Sequence, residues 1–136
     1  MRLVVDANIV ISLLINPSNI SISTFFDENL ELFVPEFIFV EIENNIDEIK
    51  RKTKFSNEEV SELILILKRR LTTIPEKDFV SFRKDAQAVS PDKKDISYFA
   101  LALYLKCPIW SHDKPIQKQS SVKILSTAEI IKMLKK

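Results

Sequence analysis

A chain of 136 residues is long enough to bury the core of one domain and too short for two, so we expect a single domain over residues 1–136. With no glycine, one histidine and one cysteine, the sequence excludes an internal disulfide, a zinc site of nitrogen and sulfur ligands, and a glycine-rich phosphate loop. Its net charge of +1 does not indicate a nucleic-acid binder, and no apolar run reaches the ~20 residues of a membrane span. We therefore expect a cytoplasmic protein whose chemistry depends on carboxylates, hydroxyls, lysines or a bound metal ion.

The chain begins with a short apolar run, rich in β-branched residues, that ends at Asp6 and is followed by a helix predicted over residues 8–15. This pattern is typical of a buried parallel strand with one acidic residue at its carboxyl end. Ligands of open α/β sheets bind just outside that end of the strands. Asp6 is therefore the first candidate site residue, although aspartate is also a common helix N-cap and this segment alone does not separate the two roles.

A long helix is predicted from Pro35 to about Lys52, after a short helix at 21–28 and a strand at 30–34. Isoleucines at spacings of three and four mark its core face: Ile38, Ile42, Ile46 and Ile49. Glu41 lies at the edge of this apolar stripe, where a partly buried carboxylate is costly unless it is paired or bound to a metal ion. Glu41 is the second candidate, against the alternative that it simply reaches solvent.

The next helix is predicted from a capping box at Ser56–Glu59 and ends in the basic cluster Lys68-Arg69-Arg70. Such a cluster suits the negative end of the helix dipole, and it is more typical of a solvated helix end than of an RNA-binding patch. A strand is predicted at 71–74, and Pro75 is expected to begin another helix.

Residues 96–105 are apolar nearly all round, which predicts a central, buried helix. Asp92 and Asp95 precede it, three residues apart. Either could serve as a cap or as a favourable charge in the first turn, without any further function. Two acidic residues exceed what capping requires, so Asp95 is the third candidate and Asp92 stays ambiguous.

The strand predicted at 107–113 ends in Asp113 and so repeats the pattern of the first strand. A last strand is predicted at 121–125, and a capping box at Ser126–Glu129 begins a terminal helix. The alternation of strands and helices predicts an α/β fold, with a parallel sheet covered by helices on both faces.

Four acidic residues are thus predicted at the carboxyl edge of the sheet or on the helices beside it: Asp6, Glu41, Asp95 and Asp113. Like charges in one pocket raise one another's pKa unless a cation is present. Oxygen ligands suit Mg²⁺ or Mn²⁺, and ions held by carboxylates can activate water for phosphodiester hydrolysis. The pattern favours a metal-dependent enzyme acting on phosphodiester bonds.

Four motifs carry a resemblance to the PIN-domain nucleases, close to the VapC-type toxins and their small prokaryotic relatives. They are LVVDAN at 3–8, PEFIFVE at 35–41, DKKDISYFALAL at 92–103 and PIWSHDK at 108–114. They occur in the family's order at compatible spacings and span nearly the whole chain. The resemblance implies a three-layer sandwich around a central parallel sheet of four or five strands.

By this resemblance, the four acidic residues would be the metal-binding and catalytic groups of a ribonuclease that uses Mg²⁺ or Mn²⁺. Asn8, Asp92 and Ser111 would support the site. The family also implies an RNA substrate, a homodimer and, for the toxins, an antitoxin whose tail covers the acidic pocket. The sequence departs from the commonest toxin pattern after Asp113, where lysine and proline stand in place of a further acidic or polar residue. This departure bears on whether a second metal ion binds.

Two enzyme or signalling classes and one binding class compete with this interpretation. A phosphotransferase of the haloacid-dehalogenase kind needs a second aspartate two residues after the first, where this chain has Asn8. A receiver-type signalling domain needs paired acidic residues after its first strand, and only Asp6 is present there. A catalytically weak or inactive PIN-fold module that binds RNA or a protein stays open, because retained carboxylates do not prove turnover.

Overall fold

The computed structural model describes residues 1–90, 92–112 and 121–135. Five parallel strands form one sheet in the order β3-β2-β1-β4-β5. The strands are β1 (Arg2–Val5), β2 (Glu31–Pro35), β3 (Thr72–Ile74), β4 (Ile109–Trp110) and β5 (Ile124–Leu125). The predicted α/β class and central parallel sheet are confirmed.

Helices lie between β1 and β2, between β2 and β3, and between β3 and β4, and a last helix follows β5. They are α1 (Ala7–Ile15), α2 (Asn19–Phe25), α3 (Ile38–Asn44), α4 (Ile46–Thr53), α5 (Asn57–Arg70), α6 (Glu76–Phe79), α7 (Arg83–Val89), α8 (Ile96–Leu105) and α9 (Thr127–Leu134). Short 3₁₀ turns lie at Val80–Phe82 and Lys93–Asp95. Among the helices in the described ranges, none has the length and apolar character needed to cross a lipid bilayer.

Strand β1 is the middle of the sheet, and its residues Leu3, Val4 and Val5 are fully buried. Burial of consecutive residues requires cover on both faces of the sheet, which is why this strand is continuously apolar instead of alternating. From β1 the chain runs outward through β2 to β3 and then returns to β4 on the other side. The carboxyl ends of β1 and β4 therefore flank the switch point of the topology, where ligands of such sheets bind.

Helix α8 packs against β1, β2 and β4. Residues 96–102 are all buried, and Phe99, Ala100 and Leu101 have no exposed surface. The prediction of a central buried helix at 96–105 is confirmed. Its amino-terminal end faces the carboxyl edge of the sheet, because the Tyr98 hydroxyl reaches Glu41 and is influenced by the Asp6 charge.

The prediction of one helix from Pro35 to Lys52 is wrong. Pro35 completes β2, and the helical residues divide into α3 and α4 at Asn45, whose backbone angles are φ −103° and ψ 6°. The Asn45 amide donates to the Glu41 carbonyl oxygen at 2.8 Å, a side-chain bond of the kind that competes with regular helical geometry. Three of the four predicted core isoleucines are confirmed, since Ile38, Ile42 and Ile49 are at most 1% exposed, whereas Ile46 is only half-buried.

Smaller differences concern the ends of elements. Helix α2 begins earlier than predicted because Ser18 and Ser21 form a capping box. The helical region after Pro75 divides into α6, a 3₁₀ turn and α7. The capping boxes at Ser56–Glu59 and Ser126–Glu129 are confirmed. Asp113, at the end of the strand predicted over 107–113, lies outside the described residues.

The basic cluster that ends α5 contributes to the fold through Arg70. Its guanidinium donates hydrogen bonds of 2.7–3.0 Å to the carbonyl oxygens of Phe25, Asp27 and Leu30. Lys68 lies over the Phe39 ring, 5.3 Å from its centroid. Arg70 therefore holds the turn between α2 and β2. Its guanidinium has few hydrogen-bond donors left for a nucleic acid.

Candidate active site

Asp6 follows β1 directly and is only 4% exposed. Its extended backbone makes it the N-cap of α1, and its Oδ1 accepts a long hydrogen bond of 3.4 Å from the Asn8 backbone N–H. Its Oδ2 accepts from the Ser111 hydroxyl at 2.7 Å. The capping and site interpretations of Asp6 are therefore compatible, because one oxygen serves the helix and the other meets the neighbouring strand.

Ser111 follows β4 and is fully buried. Its backbone N–H donates to the Leu125 carbonyl oxygen at 3.1 Å, while the Asp6 N–H donates to the Trp110 carbonyl oxygen at 3.1 Å. The sheet ladder thus continues past the strand ends and fixes both residues. The short bond between the Ser111 hydroxyl and Asp6 then sets the orientation of the carboxylate.

Glu41 lies on α3, is half-buried, and accepts a hydrogen bond of 2.8 Å at Oε1 from the Tyr98 hydroxyl. Burial raises the pKa of Glu41 most strongly, and the negative charge of Asp6 raises it further. The Tyr98 bond and the charge of Lys94 act in the opposite direction. The fold therefore brings two carboxylates that are 35 positions apart in the sequence into one poorly solvated neighbourhood.

Tyr98 was missed in the sequence analysis, where it counted only as part of an apolar helix. Burial and the negative charges of Glu41 and Asp6 raise the pKa of its phenol, so the hydroxyl remains protonated and acts as a donor. Its ring packs edge-on against Phe37, with centroids 5.5 Å apart. The available signal was the residue type, since a buried tyrosine hydroxyl needs a hydrogen-bond partner.

The acidic pair before α8 divides into two roles. Asp92 is exposed and caps the 3₁₀ turn, because its Oδ1 accepts from the Lys94 backbone N–H at 3.0 Å. Asp95 is half-buried, ends that turn, and stands one helical turn before Tyr98. Asp95 therefore lies at the end of α8 that meets Glu41. The observed contact of Asp92 is that of a helix cap, which was one of the two roles considered for it.

The matching family model is that of the PIN domain, and it covers residues 4–134. The chain belongs to the PIN-domain family. The crystal structure of VapBC2 from Rickettsia felis, bound to a DNA fragment from their promoter, contains a similar chain with a TM-score of 0.68. The two chains share 12% identity, and the match covers 93% of this PIN domain and 98% of that chain. No curated protein sequence matches.

These findings confirm the PIN resemblance inferred from the four motifs, together with the predicted sandwich of helices around a parallel sheet. At 12% identity the likeness to the Rickettsia felis structure shows the fold alone. The roles of individual residues in this PIN domain must therefore be argued from their own geometry.

The donor chemistry fits a hard divalent cation. Asp6 and Glu41 are oxygen donors, and a cation would relieve the repulsion by which the Asp6 charge raises the pKa of Glu41. Within the described ranges, no three His, Cys, Asp or Glu side chains gather closely enough to hold a metal ion. Because Asp113 is not among the described residues, the site of four carboxylates stays a prediction.

Proposed function

We propose that this PIN domain is a divalent-metal-dependent ribonuclease that hydrolyses RNA phosphodiester bonds, acting as the toxin of a toxin–antitoxin pair. One observation carries the proposal: the buried Asp6 and the half-buried Glu41 share a neighbourhood at the carboxyl edge of a PIN-fold sheet, and each is oriented by a hydroxyl donor from another element. Two carboxylates that are held in place and repel each other favour the binding of a cation, because the cation offsets their repulsion.

Asp6 and Glu41 would hold the ion, joined by Asp95 and Asp113. When bound, Mg²⁺ or Mn²⁺ supplies activation of water and stabilisation of the leaving oxygen. Ser111 and Tyr98 act on the protein side of this chemistry. Each donates to one carboxylate oxygen, and a carboxylate has further lone pairs with which to bind a cation. Both donors also keep these side chains from turning toward solvent.

The principal test is cleavage of an end-labelled single-stranded RNA in Mg²⁺ or Mn²⁺ and in EDTA. We expect cleavage that EDTA abolishes, and a loss of at least about 100-fold in Asp6→Asn and Glu41→Gln. Glu43→Gln is the matched control, because Glu43 is an exposed carboxylate on the same helix as Glu41. Cleavage that survives in EDTA or in Asp6→Asn would contradict the proposal.

The proposed antitoxin would dock in an apolar groove of about 280 Å³ formed by α1, α2 and α5. The groove is lined by Leu13, Leu14, Pro17, Ile22, Phe26, Phe55, Leu63, Ile66 and Leu67. Ile22, Phe26 and Ile66 are each more than 40% exposed, which is unusual for contiguous large apolar side chains in a monomer. A groove of this kind suits the apolar face of an amphipathic helix. The similar chain from Rickettsia felis belongs to a VapBC2 assembly, which supports an antitoxin as the occupant.

Co-purification with the product of a neighbouring short reading frame tests this assignment, with Ile66→Glu as the disrupting variant and Glu62→Gln, an exposed change on the same helix, as the control. We expect Ile66→Glu alone to release the partner. Light scattering on the isolated chain tests the rival occupant. If Ile66→Glu instead splits a homodimer, the groove belongs to the dimer and the antitoxin assignment is overturned.

The binding-module alternative predicts RNA binding without turnover in any divalent metal. Membership of the PIN family argues against the phosphotransferase alternative. Release of phosphate from small esters would be needed to revive it.

A further inference from the structure

A second, polar groove opens beside Glu41, on a different surface from the apolar groove of α1, α2 and α5. Its volume is about 320 Å³, and it is lined by Phe37, Glu41, Asn44, Asn45 and Lys94. An aromatic ring, a cation and two amides thus surround one edge of the candidate active site. None of these side chains other than Glu41 has a role in the proposed hydrolysis, so their shared position needs its own explanation.

Phe37 supplies a flat apolar surface that is already held in place. Its ring is half-buried and packs edge-on against Tyr98, with the two planes 63° apart. Tyr98 is in turn fixed by its hydrogen bond to Glu41. An aromatic ring immobilised in this way can stack an unpaired base, and such stacking accepts any base because each has a π-face.

Lys94 supplies the positive charge. The 3₁₀ turn that carries it is fixed by the bond from its backbone N–H to Asp92, and its side chain lowers the pKa of Glu41 through its charge. No ion pair within 4 Å joins Lys94 to Glu41 among the residues the structure describes. The ammonium group therefore lies near Glu41 while staying available for a phosphate.

The preceding lysine provides a contrast. Lys93 lines a separate groove, together with Arg83, Gln87, Ser90 and Ile96. Two consecutive lysines of equal charge thus belong to two different surfaces, and Lys94 is the one of this pair that borders the Glu41 groove. Lys93 and Lys94 carry the same charge and are both exposed on one short turn, so only their positions distinguish them. A comparison of variants at these two residues therefore separates a local contact from an effect of net charge.

Asn44 and Asn45 close the groove with amide groups. The Asn45 side chain donates to the Glu41 carbonyl oxygen, which fixes it and leaves its own oxygen as an acceptor. Asn44 is exposed at the end of α3. Side-chain amides carry a donor and an acceptor side by side, the pattern that matches the hydrogen-bonding edge of a base.

We propose that this groove is a subsite for one nucleotide of single-stranded RNA beside the phosphodiester bond to be cut. Its base stacks on Phe37, its phosphate contacts Lys94, and its base edge meets Asn44. This inference rests on the proposed ribonuclease function and assigns Phe37, Lys94 and Asn44 to one unpaired nucleotide, because a base in a duplex is not free to reach Phe37.

Binding of a fluorescent single-stranded oligoribonucleotide tests the subsite without turnover. Anisotropy is measured over a range of salt concentrations with Ca²⁺ as the only divalent ion, and a gel confirms that the RNA stays intact. We expect Lys94→Gln to weaken binding by roughly 3- to 10-fold and to reduce the salt slope by about 0.7, as for one lost phosphate contact on a single strand. Lys93→Gln is the matched control and is expected to change binding by less than about 2-fold.

Phe37→Leu tests the stacking surface while keeping an apolar side chain against Tyr98. We expect binding to weaken by roughly 5- to 150-fold, the range found when a stacking aromatic side chain is replaced by alanine. Asn44→Ala is expected to change the preferred cleavage position in an RNA of mixed sequence. Thermal melts check that the variants are folded. If Phe37→Leu is not folded, the comparison of Lys93→Gln with Lys94→Gln decides the test.

Equal effects of Lys93→Gln and Lys94→Gln would overturn the subsite, as would unchanged binding in Lys94→Gln and Phe37→Leu. The subsite and the catalytic proposal fail separately. If the variants behave as expected but no divalent metal supports cleavage, binding of an RNA nucleotide in this groove stands and the ribonuclease proposal falls. If EDTA-sensitive cleavage is present but Lys94→Gln and Phe37→Leu bind RNA as tightly as the wild type, the ribonuclease proposal stands and the subsite falls.

Discussion

The carboxyl edge of the sheet and the apolar groove of α1, α2 and α5 are both left in an unfavourable state by the fold, but for opposite reasons. At the edge, Asp6 and Glu41 repel each other in a poorly solvated position. In the groove, large side chains such as Phe26 and Ile66 stay more than 40% exposed to water. A cation relieves the first and an apolar partner surface relieves the second, so the comparison assigns a different kind of ligand to each region.

The largest expected effect separates the two regions. Asp6→Asn is expected to lower the rate of RNA cleavage by at least about 100-fold and to leave the proposed antitoxin bound at the apolar groove. Ile66→Glu is expected to release the proposed antitoxin and to leave the cleavage rate of the isolated chain unchanged. The comparison breaks if either variant changes both readouts, which are measured as cleavage rate and co-purification.

The hydroxyl donors give the next largest effect. Ser111→Ala and Tyr98→Phe each remove one donor from a carboxylate, so we expect kcat to fall by about 10-fold with little change in KM, because orientation is lost but the ligands remain. Ser111→Ala should also cost about 1–2 kcal/mol in the free energy of unfolding, since a buried acceptor loses its partner. Urea unfolding and steady-state kinetics measure both. A Ser111→Ala variant with full activity would show that this bond does not position Asp6.

The smallest expected effect is on stability and its pH dependence. The pKa of Glu41 in the folded state is raised above its ordinary value of 4.5, so the folded protein holds this proton more tightly than the unfolded chain does. Stability is therefore lost as the pH rises through the interval between the unfolded and folded pKa values. Glu41→Gln removes this loss and keeps an acceptor for Tyr98.

In EDTA at pH 7 we expect Glu41→Gln to raise Tm, because the variant removes a charge that burial and the Asp6 carboxylate disfavour. The difference from the wild type should shrink near pH 4, where Glu41 is protonated. Scanning calorimetry at the two pH values measures it. A variant that is less stable than the wild type at pH 7 would mean that the charge of Glu41 is compensated in the folded protein.

Much of the fold could be predicted because its signals are local. A run of buried β-branched residues before Asp6, a helix apolar on all sides at 96–105, and serine capping boxes each depend on neighbouring residues only. The helix break at Asn45 was not predicted because asparagine is tolerated within helices, and its effect depends on a particular bond to Glu41.

The candidate site was predictable by residue type but not by contact. Asp6 and Glu41 could be selected because a carboxylate next to an apolar strand or stripe is unusual. Their shared neighbourhood depends on how α3 crosses the sheet, which hydrophobic periodicity does not specify. Tyr98 was missed because a tyrosine inside an apolar helix has the same pattern as a core residue, and only its contact with Glu41 distinguishes it.

The central claim is that Asp6 and Glu41 bind one divalent cation together, and calorimetric titration of Mn²⁺ into the metal-free protein tests it most directly. The wild type, Asp6→Asn, Glu41→Gln and the double variant form a cycle in which cooperation between the two carboxylates appears as non-additivity. We predict that each single variant weakens Mn²⁺ binding by at least about 10-fold and that the double variant is scarcely weaker than either. Unchanged Mn²⁺ affinity in both single variants would contradict the account.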